Sequence, residues 1–173
     1  MTLALTPDPI QAAPPPARAQ LAHAFRAVGL AAGDVVWVQV CDEPLQGVLG
    51  SDPRAACDAI LGALREVIGP QGTVLAPTFT FSFCRGAAYD PARSETVRGP
   101  WNTFTAFPEY LRALPGAVRS LDPIFSVAAE GPRAAELLGG LPPLCLGAGC
   151  VHERLRHAEA KLCLVGIGLH EAI

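Results

Sequence analysis

A strand–helix–strand pattern runs through residues 33–76, which read GDVVWVQVCDEPLQGVLGSDPRAACDAILGALREVIGPQGTVLA. The run at 35–40 is apolar and rich in β-branched residues, which is typical of a strand buried on both faces. Residues 51–53 indicate a helix start, and apolar positions then recur with helical spacing as far as Ile68. A second apolar strand follows at 73–76. Because the joints are short, we expect a βαβ unit with parallel strands and a right-handed crossover.

Further elements are predicted on both sides of this unit. They are a helix with its apolar stripe at Leu21, Ala24, Phe25 and Val28, an extended segment 77–83 with Phe79, Phe81 and Phe83 on one face, a long loop 84–102, a helix from Thr103 to Leu114, a strand 124–129, a short helix 132–138 and a strand 161–166. The proline-rich residues 1–17 are expected to form a flexible tail. Residues 18–173 are expected to form a single α/β domain with a mixed, partly parallel sheet flanked by helices.

Composition places the chain among folded proteins of low charge. Its 173 residues are 50% hydrophobic and 17% charged, which suits one domain with a sizeable core. The net charge of -3 argues against a nucleic-acid binder, because such domains need excess basic residues. No apolar run approaches the roughly 20 residues of a membrane span, and no secretory signal is found. We therefore expect a cytoplasmic protein with six reduced cysteines and, lacking paired ligand spacings, no metal.

Residues 119–126, Arg-Ser-Leu-Asp-Pro-Ile-Phe-Ser, carry the most informative chemistry. They place an arginine, two hydroxyls and a carboxylate on a turn that joins a helix to a strand. Arginine and hydroxyl donors suit the phosphate or amide groups of a ligand. The same residues also make an ordinary capped turn, so the pattern alone leaves both interpretations open.

Two other patterns are rejected as functional motifs. The histidines at 152 and 157 are five residues apart, whereas a zinc-protease helix needs them four apart on one face. A polar surface helix is the better interpretation. The Gly-Ile-Gly at 166–168 lacks the third glycine and the following helix of a dinucleotide-binding loop.

Four segments, taken in order, carry a family resemblance. They are 69–79 (GPQGTVLAPTF), 107–112 (FPEYLR), 114–128 (LPGAVRSLDPIFSVA) and 162–168 (LCLVGIG). Each is modest, but their order and spacing together resemble the aminoglycoside 3-N-acetyltransferase family, over roughly residues 18 to 173. The resemblance implies that family's α/β fold, which is distinct from the common acetyltransferase fold. It also implies transfer of acetyl from acetyl-CoA to an amine of an aminoglycoside or amino sugar.

The resemblance also assigns residues to the cofactor. They are Arg119, Ser120, Asp122, Ser126, Val40 and Cys41. The first four fall in the family's RS-x-x-P-x-x-S signature, although many members have histidine where Asp122 stands. That signature is expected to hold the phosphates and pantetheine arm of CoA. Val40 and Cys41 stand where the family has a Ser-Ser pair, after a histidine, at the end of its first strand.

No catalytic residue is assigned. In the family a T-x-x-H-x-x-E motif follows the last matching strand, and its His takes the proton from the attacking amine. The sequence reaches Ile173 without that motif, and His170 and Glu171 are adjacent, so one cannot orient the other.

We expect a domain incomplete at its C-terminal side. This expectation leaves open an alternative, a truncated or degenerate noncatalytic member that binds CoA weakly or serves as an assembly partner. The strand at 161–166 would then be exposed, which favours a homo-oligomer or a complex with a complementing chain.

Overall fold

The computed structural model describes residues 15–41, 45–80, 82–96, 106–142 and 144–169, and within them one five-stranded mixed sheet. The strands are β1 Val35–Val40, β2 Thr73–Pro77, β3 Val118–Arg119, β4 Val127–Glu130 and β5 Lys161–Val165. The helices are α1 Pro15–Ala27, α2 Gln46–Leu49, α3 Pro53–Ile68, α4 Ala106–Arg112, α5 Ala134–Leu138 and α6 Val151–His157, with a 3-10 turn at Ser82–Arg85. Across the sheet the order is β3-β4-β2-β1-β5.

The predicted βαβ unit is confirmed. Strands β1 and β2 pair in parallel, with Val35 opposite Thr73. The Asp52 side chain accepts a hydrogen bond of 3.0 Å from the Arg54 N–H at the start of α3. Pro53 occupies the first turn, where its missing N–H costs no helical hydrogen bond. Local capping and apolar periodicity are therefore sufficient to predict the elements of this unit from its own sequence.

Strand β1 is the centre of a three-layer arrangement. All six of its residues are buried, and its side chains alternate between two separate cores. Val36, Val38 and Val40 pack with α1, α3 and α4 on one face. Val35 and Trp37 pack with α5 and α6 on the other face. The expected mixed sheet flanked by helices is confirmed.

The first helix begins earlier than the sequence indicates. The proline-rich tail was expected to extend through residue 17, but α1 starts at Pro15 and Ala17 is 1% exposed in the core. Proline is tolerated in the first turn of a helix, so the prolines at 15 and 16 do not prevent this start. Residues 1–14 lie outside the described residues.

Two extended segments differ from expectation. The strand expected from Ile124 begins only at Val127, because residues 123–126 form a turn. The expected alternation at 77–83 is also wrong where it is described, because the 3-10 turn at Ser82–Arg85 rotates the chain. Phe79 is 4% exposed and Phe83 is 54% exposed, so they do not share a face. Phe81 lies outside the described residues. Thr103, where the helix that becomes α4 was expected to start, also lies outside them.

The described helices are short compared with a bilayer. The longest, α3, has 16 residues, whereas a helix needs about 20 apolar residues to span the hydrocarbon core. None of the helices in the described ranges combines the length and apolar character that crossing a membrane requires.

Gly166 closes the contact between the ends of β5 and β1. Its φ is +70°, a left-handed conformation that side chains disfavour. A Cβ built there would lie 2.3 Å from the carbonyl oxygen of Cys41, which is backbone and cannot move aside cheaply. Gly140 has a similar φ of +61°, but a Cβ there would meet nothing within 4 Å.

Gly166→Ala is expected to lower the free energy of unfolding by about 2–4 kcal/mol, because left-handed strain of about 1–2 kcal/mol adds to overpacking against Cys41. Gly140→Ala should cost only the strain, about 1–2 kcal/mol. Urea denaturation of both variants measures the difference. Equal losses would show that the approach of β5 to β1 does not require a glycine.

Candidate functional site

The topology of the sheet brings together the ends of several strands at one edge. Strands β1, β2 and β5 run parallel, so their carboxyl ends share this edge, and antiparallel β4 begins there. Strand β3 is antiparallel to β4 and also ends there. We call this the carboxyl edge; it carries Cys41, Thr78, Ser120 and Ser126. Strand β1, flanked by β2 and β5, marks a switch point, and α/β sheets bind ligands outside such points.

The residues assigned to the cofactor fall into two groups along the carboxyl edge. Arg119, Ser120, Asp122 and Ser126 lie together around the ends of β3 and β4. Val40 and Cys41 lie at the end of β1, which in the sheet order is two strand spacings from β4 and three from β3, or about 10 to 14 Å. The Val40 side chain is 2% exposed in the core, whereas Cys41 is half-buried.

The Arg119 side chain links two strand ends, at Thr78 and Ser126, to the loop at 89–96. We call this set of hydrogen bonds the Arg119 clasp. Its Nε donates to Thr78 Oγ1 at 3.1 Å and to Ser126 Oγ at 3.3 Å, and its Nη2 donates to the Thr78 carbonyl at 2.6 Å. Its Nη1 donates to the carbonyls of Pro91, at 3.2 Å, and Ser94. Burial lowers the pKa of the guanidinium, which remains charged. Because arginine has five N–H groups, these contacts leave at most one for a ligand.

Tyr89 completes this clasp from the loop side. The Arg119 Cζ lies 5.4 Å from the centre of the Tyr89 ring, within the range of a cation–π contact. The Tyr89 hydroxyl donates to the Ser120 carbonyl at 2.7 Å. Burial raises the pKa of Tyr89, so this hydroxyl stays protonated and remains a donor at neutral pH.

Buried hydroxyls extend the strand ladder at the carboxyl edge. Ser120 Oγ accepts from the Val127 N–H at 2.9 Å, in the place of a backbone acceptor. Ser126 Oγ donates to the Thr78 carbonyl at 2.6 Å. Thr78, Ser120 and Ser126 are each at most 1% exposed. In this structure these polar groups hold the strand ends in register.

Asp122 differs from its neighbours because one of its oxygens lacks a partner. Its Oδ1 accepts from the N–H groups of Ile124, at 2.8 Å, and Phe125, at 3.0 Å, and from the Cys145 thiol at 3.3 Å. Its Oδ2 is buried and has no hydrogen-bond partner among the residues that the structure describes. Burial and then the adjacent carboxylate raise the pKa of Cys145, so this thiol is a donor rather than a nucleophile. The free oxygen of Asp122 is a buried acceptor for a further N–H or O–H donor.

A second anchor fastens the same loop to α4. Arg112 donates to the Glu109 carboxylate, at 2.6 Å from Nη2, and to the Ala92 carbonyl at 2.9 Å. Glu109 also accepts from the backbone N–H of Thr96 at 2.7 Å and from its hydroxyl. Burial alone would raise the pKa of Glu109, but the hydrogen bonds from Arg112 and Thr96 outweigh it and lower the pKa from 4.5 to about 2. These hydrogen bonds from α4 hold the loop at 89–96 in place beside the carboxyl edge.

Sequence reasoning did not nominate several residues of this site. They are Thr78, Tyr89, Thr96, Glu109, Arg112 and Cys145. The family segments include Thr78, Glu109 and Arg112. The sequence of those segments does not predict that these residues contact the same loop. The other three lie in irregular stretches, where no periodicity indicates a contact. For Tyr89 and Thr96 the only signal was the length of the unpatterned loop 84–102, which is typical of functional segments.

The sequence matches the model of a known protein family. That model, described as aminoglycoside 3-N-acetyltransferase, covers residues 43–172. Among curated proteins, the aminoglycoside N(3)-acetyltransferase VIII of Streptomyces fradiae is 33% identical over 145 residues, which cover 74% of this chain and 48% of that protein. The chain spans about half the length of this relative and of two further acetyltransferases of the same name, VII and IX.

Solved structures with the same fold agree with this match. The structure titled AAC-IIIb binary with CoASH superposes with a TM-score of 0.74 and 30% identity, covering 88% of this chain and 60% of that one. The aminoglycoside acetyltransferase AAC(3)-Xa gives a TM-score of 0.72 and 28% identity, covering 86% and 55%. The fold predicted from the family resemblance is confirmed.

The anchor at Glu109 predicts a pH dependence of stability. The pKa of Glu109 is depressed in the folded state, so its contribution is present above the ordinary pKa of 4.5 and is lost as the pH falls towards 2. Allowing for its partial exposure, we expect the wild type to lose about 2 kcal/mol more than Glu109→Gln between about pH 5 and pH 2. Urea denaturation across this range measures the loss.

Glu136→Gln is the matched control, because Glu136 makes the same i, i+3 pair with an arginine but its side chain is 61% exposed. Its acid-induced loss should stay close to that of the wild type. A Glu109→Gln protein that loses as much stability in acid as the wild type would contradict the role of Glu109 as an anchor.

Proposed function

The chain belongs to the aminoglycoside 3-N-acetyltransferase family, and from this premise we propose that it transfers acetyl from acetyl-CoA to an amine of an aminoglycoside or amino sugar. In this reaction the amine nitrogen bonds to the acetyl carbon and the thioester C–S bond breaks. One proton of the nitrogen ends on the sulphur, so that CoA leaves as the free thiol. A transferase of this kind confers antibiotic resistance when its acceptor is an aminoglycoside.

The observation that carries the proposal is the carboxyl edge. Six residues assigned from two segments of the sequence lie along one edge of the sheet, in two groups, on the side where α/β folds bind ligands. A structural relative of 30% identity is described with CoASH bound. Together these support acetyl-CoA as the cosubstrate along this edge.

The chemistry of the site favours the pantetheine arm over the phosphates as the group held near β3 and β4. Arg119 has most of its donors committed to protein carbonyls and hydroxyls, which leaves little for a phosphate. Within the described ranges Asp122 Oδ2 is a buried acceptor without a donor, and an amide N–H of the pantetheine arm would supply one. We therefore assign Ser120, Asp122 and Ser126 to the pantetheine arm, with Val40 and Cys41 at the end of β1 further along the cofactor.

The cysteines support a cytoplasmic location for this reaction. All six are free thiols in the structure. Free thiols are typical of a reducing compartment. His170 and Glu171, to which no catalytic role is assigned, lie outside the described residues.

Acetyl-CoA binding by the 173-residue polypeptide tests the proposal directly. Isothermal titration is expected to give saturable binding, and chemical-shift changes are expected at Ser120 and Ser126. Thiol release from acetyl-CoA with a panel of aminoglycosides measures the transfer itself. Absence of acetyl-CoA binding would overturn the proposed function.

The role of Arg119 can be separated from a direct phosphate contact. Arg119→Ala is expected to weaken CoA binding by about 1.5–3 kcal/mol, since charged hydrogen bonds that hold the site are lost. If Arg119 acts as a clasp, the loss is the same for CoA and for 3'-dephospho-CoA, and Arg119→Lys does not restore binding because lysine lacks the planar fork.

Arg133→Ala serves as the control, because Arg133 makes an exposed pair with Glu136 at the opposite end of β4. Its CoA affinity should equal that of the wild type. A loss confined to CoA with its 3'-phosphate, and restored by Arg119→Lys, would show that Arg119 contacts the phosphate. Unchanged affinity in Arg119→Ala would remove this segment from the cofactor site.

A further inference from the structure

Cys145 turns from an exposed loop towards the carboxyl edge. In the described range 144–149 it is half-buried, while the other residues are exposed. Leu144 and Leu146 on either side of it are 48% and 72% exposed. The Cys145 thiol donates to Asp122 Oδ1 at 3.3 Å, across 23 positions of sequence. The loop therefore meets the candidate cofactor site through this thiol.

The Asp122 carboxylate has its two oxygens in different surroundings. Two of the donors to Oδ1, the N–H groups of Ile124 and Phe125, belong to the same turn as Asp122. Cys145 is the contact that comes from a separate segment. Asp122 is 4% exposed, and none of the described residues donates to its Oδ2. A buried carboxylate oxygen without a donor is unfavourable, so this position is suited to a donor that a bound molecule supplies.

A donor that reaches Asp122 Oδ2 comes close to the Cys145 side chain. The two carboxylate oxygens share one carbon, and the Cys145 sulphur lies 3.3 Å from Oδ1. Hydrogen bonds hold the Asp122 turn, whereas the loop at 144–149 is exposed, so the loop is the neighbour that can adjust to admit the donor. A Cβ at Gly147 would meet nothing within 4 Å, which shows open space beside the loop.

We propose that Cys145 is a further residue of the cofactor site and that the loop at 144–149 lies over the pantetheine arm of acetyl-CoA. This inference rests on the proposed function, which assigns that arm to Asp122. An amide N–H of the arm donates to Asp122 Oδ2 while the Cys145 thiol donates to Oδ1. The arm and the thiol thus share one carboxylate.

The thiol of Cys145 suits this position because it is small and uncharged. Burial and the adjacent carboxylate raise its pKa, so it stays a protonated donor at neutral pH. A thiolate there would repel Asp122. A larger group on the sulphur would occupy the space of the arm. A modified Cys145 and bound acetyl-CoA are therefore mutually exclusive.

Alkylation of Cys145 by iodoacetamide, with and without acetyl-CoA, tests the proposal. At about pH 9 enough of the thiol is ionised to react, and peptide mass spectrometry follows Cys145 separately from the other cysteines. Acetyl-CoA at about ten times its dissociation constant should slow the alkylation about tenfold, because the reagent then reaches only the unoccupied protein. Glu136→Cys supplies a control thiol, because the Glu136 side chain is 61% exposed on α5, away from the carboxyl edge. Its alkylation rate should not change.

Two substitutions separate a cofactor contact from a structural role. Cys145→Phe should raise the dissociation constant of acetyl-CoA at least about tenfold, because the ring fills the space of the arm. Cys145→Ser keeps the size and the donor, so it should bind acetyl-CoA as the wild type does. Leu146→Phe is the matched control, because Leu146 is 72% exposed on the same loop, and its affinity should not change. Urea denaturation shows whether each variant is folded, and the alkylation test decides without Cys145→Phe.

The outcomes distinguish this inference from the proposed function. If acetyl-CoA binds but Cys145 is alkylated equally fast in its presence, the inference is overturned and the proposed function stands. A folded Cys145→Phe protein with wild-type affinity has the same meaning. So does equal protection of Cys145 and of the control thiol. A wild type that does not bind acetyl-CoA overturns both.

Discussion

The burial of β1 on both faces is the constraint on which the rest of the structure depends. Six consecutive buried residues need an apolar layer on each side, and the chain supplies α1, α3 and α4 for one and α5 and α6 for the other. A strand inside such a sandwich also needs a hydrogen-bonded neighbour on each side, which β2 and β5 provide. The switch point at the end of β1 follows from these two requirements, and with it the position of the candidate site.

The carboxyl edge is held by polar groups that satisfy one another. Arg119 joins β2, β4 and the loop at 89–96. Two further hydrogen bonds hold the same loop, one from Tyr89 to Ser120 and one between Thr96 and Glu109. Buried polar networks rigidify a structure when every member has a hydrogen-bond partner. A buried polar group without a partner lowers the free energy of unfolding. In the part of the chain that the structure describes, Asp122 Oδ2 is such an unpaired member. An edge held in this way, with an unpaired acceptor at Asp122, is suited to receive a hydrogen-bond donor.

The parts of the fold that the sequence predicts are those set by local patterns. Strand β1, helix α3 and strand β2 were predictable because periodicity, the Asp52 cap and a terminal glycine act over a few residues. Strand β3 has two residues, too few to show a pattern. The late start of β4 depends on the Asp122 carboxylate capturing two backbone N–H groups, a choice between turn and strand that composition does not reveal.

The six site residues came from the family resemblance, and the clasp made by Arg119 could not be predicted from the residues around it. Its partners Thr78, Pro91 and Ser94 are 25 to 41 positions away in sequence. Glu109 and Thr96 meet in the same way, across a segment without periodicity. A charged residue in a turn has many potential acceptors, and only the assembled sheet selects among them.

The pairing of β1 with β5 also has a consequence for the order of folding. Strand β1 meets β2 across fewer than forty residues, but it meets β5 across more than one hundred and twenty. By loop-closure entropy alone, the second contact costs about 1 kcal/mol more than the first. During synthesis β1, α3 and β2 therefore assemble while one side of β1 is still bare. Until β5 emerges from the ribosome, the apolar strand β1 is a temporary target for chaperones and for misassembly.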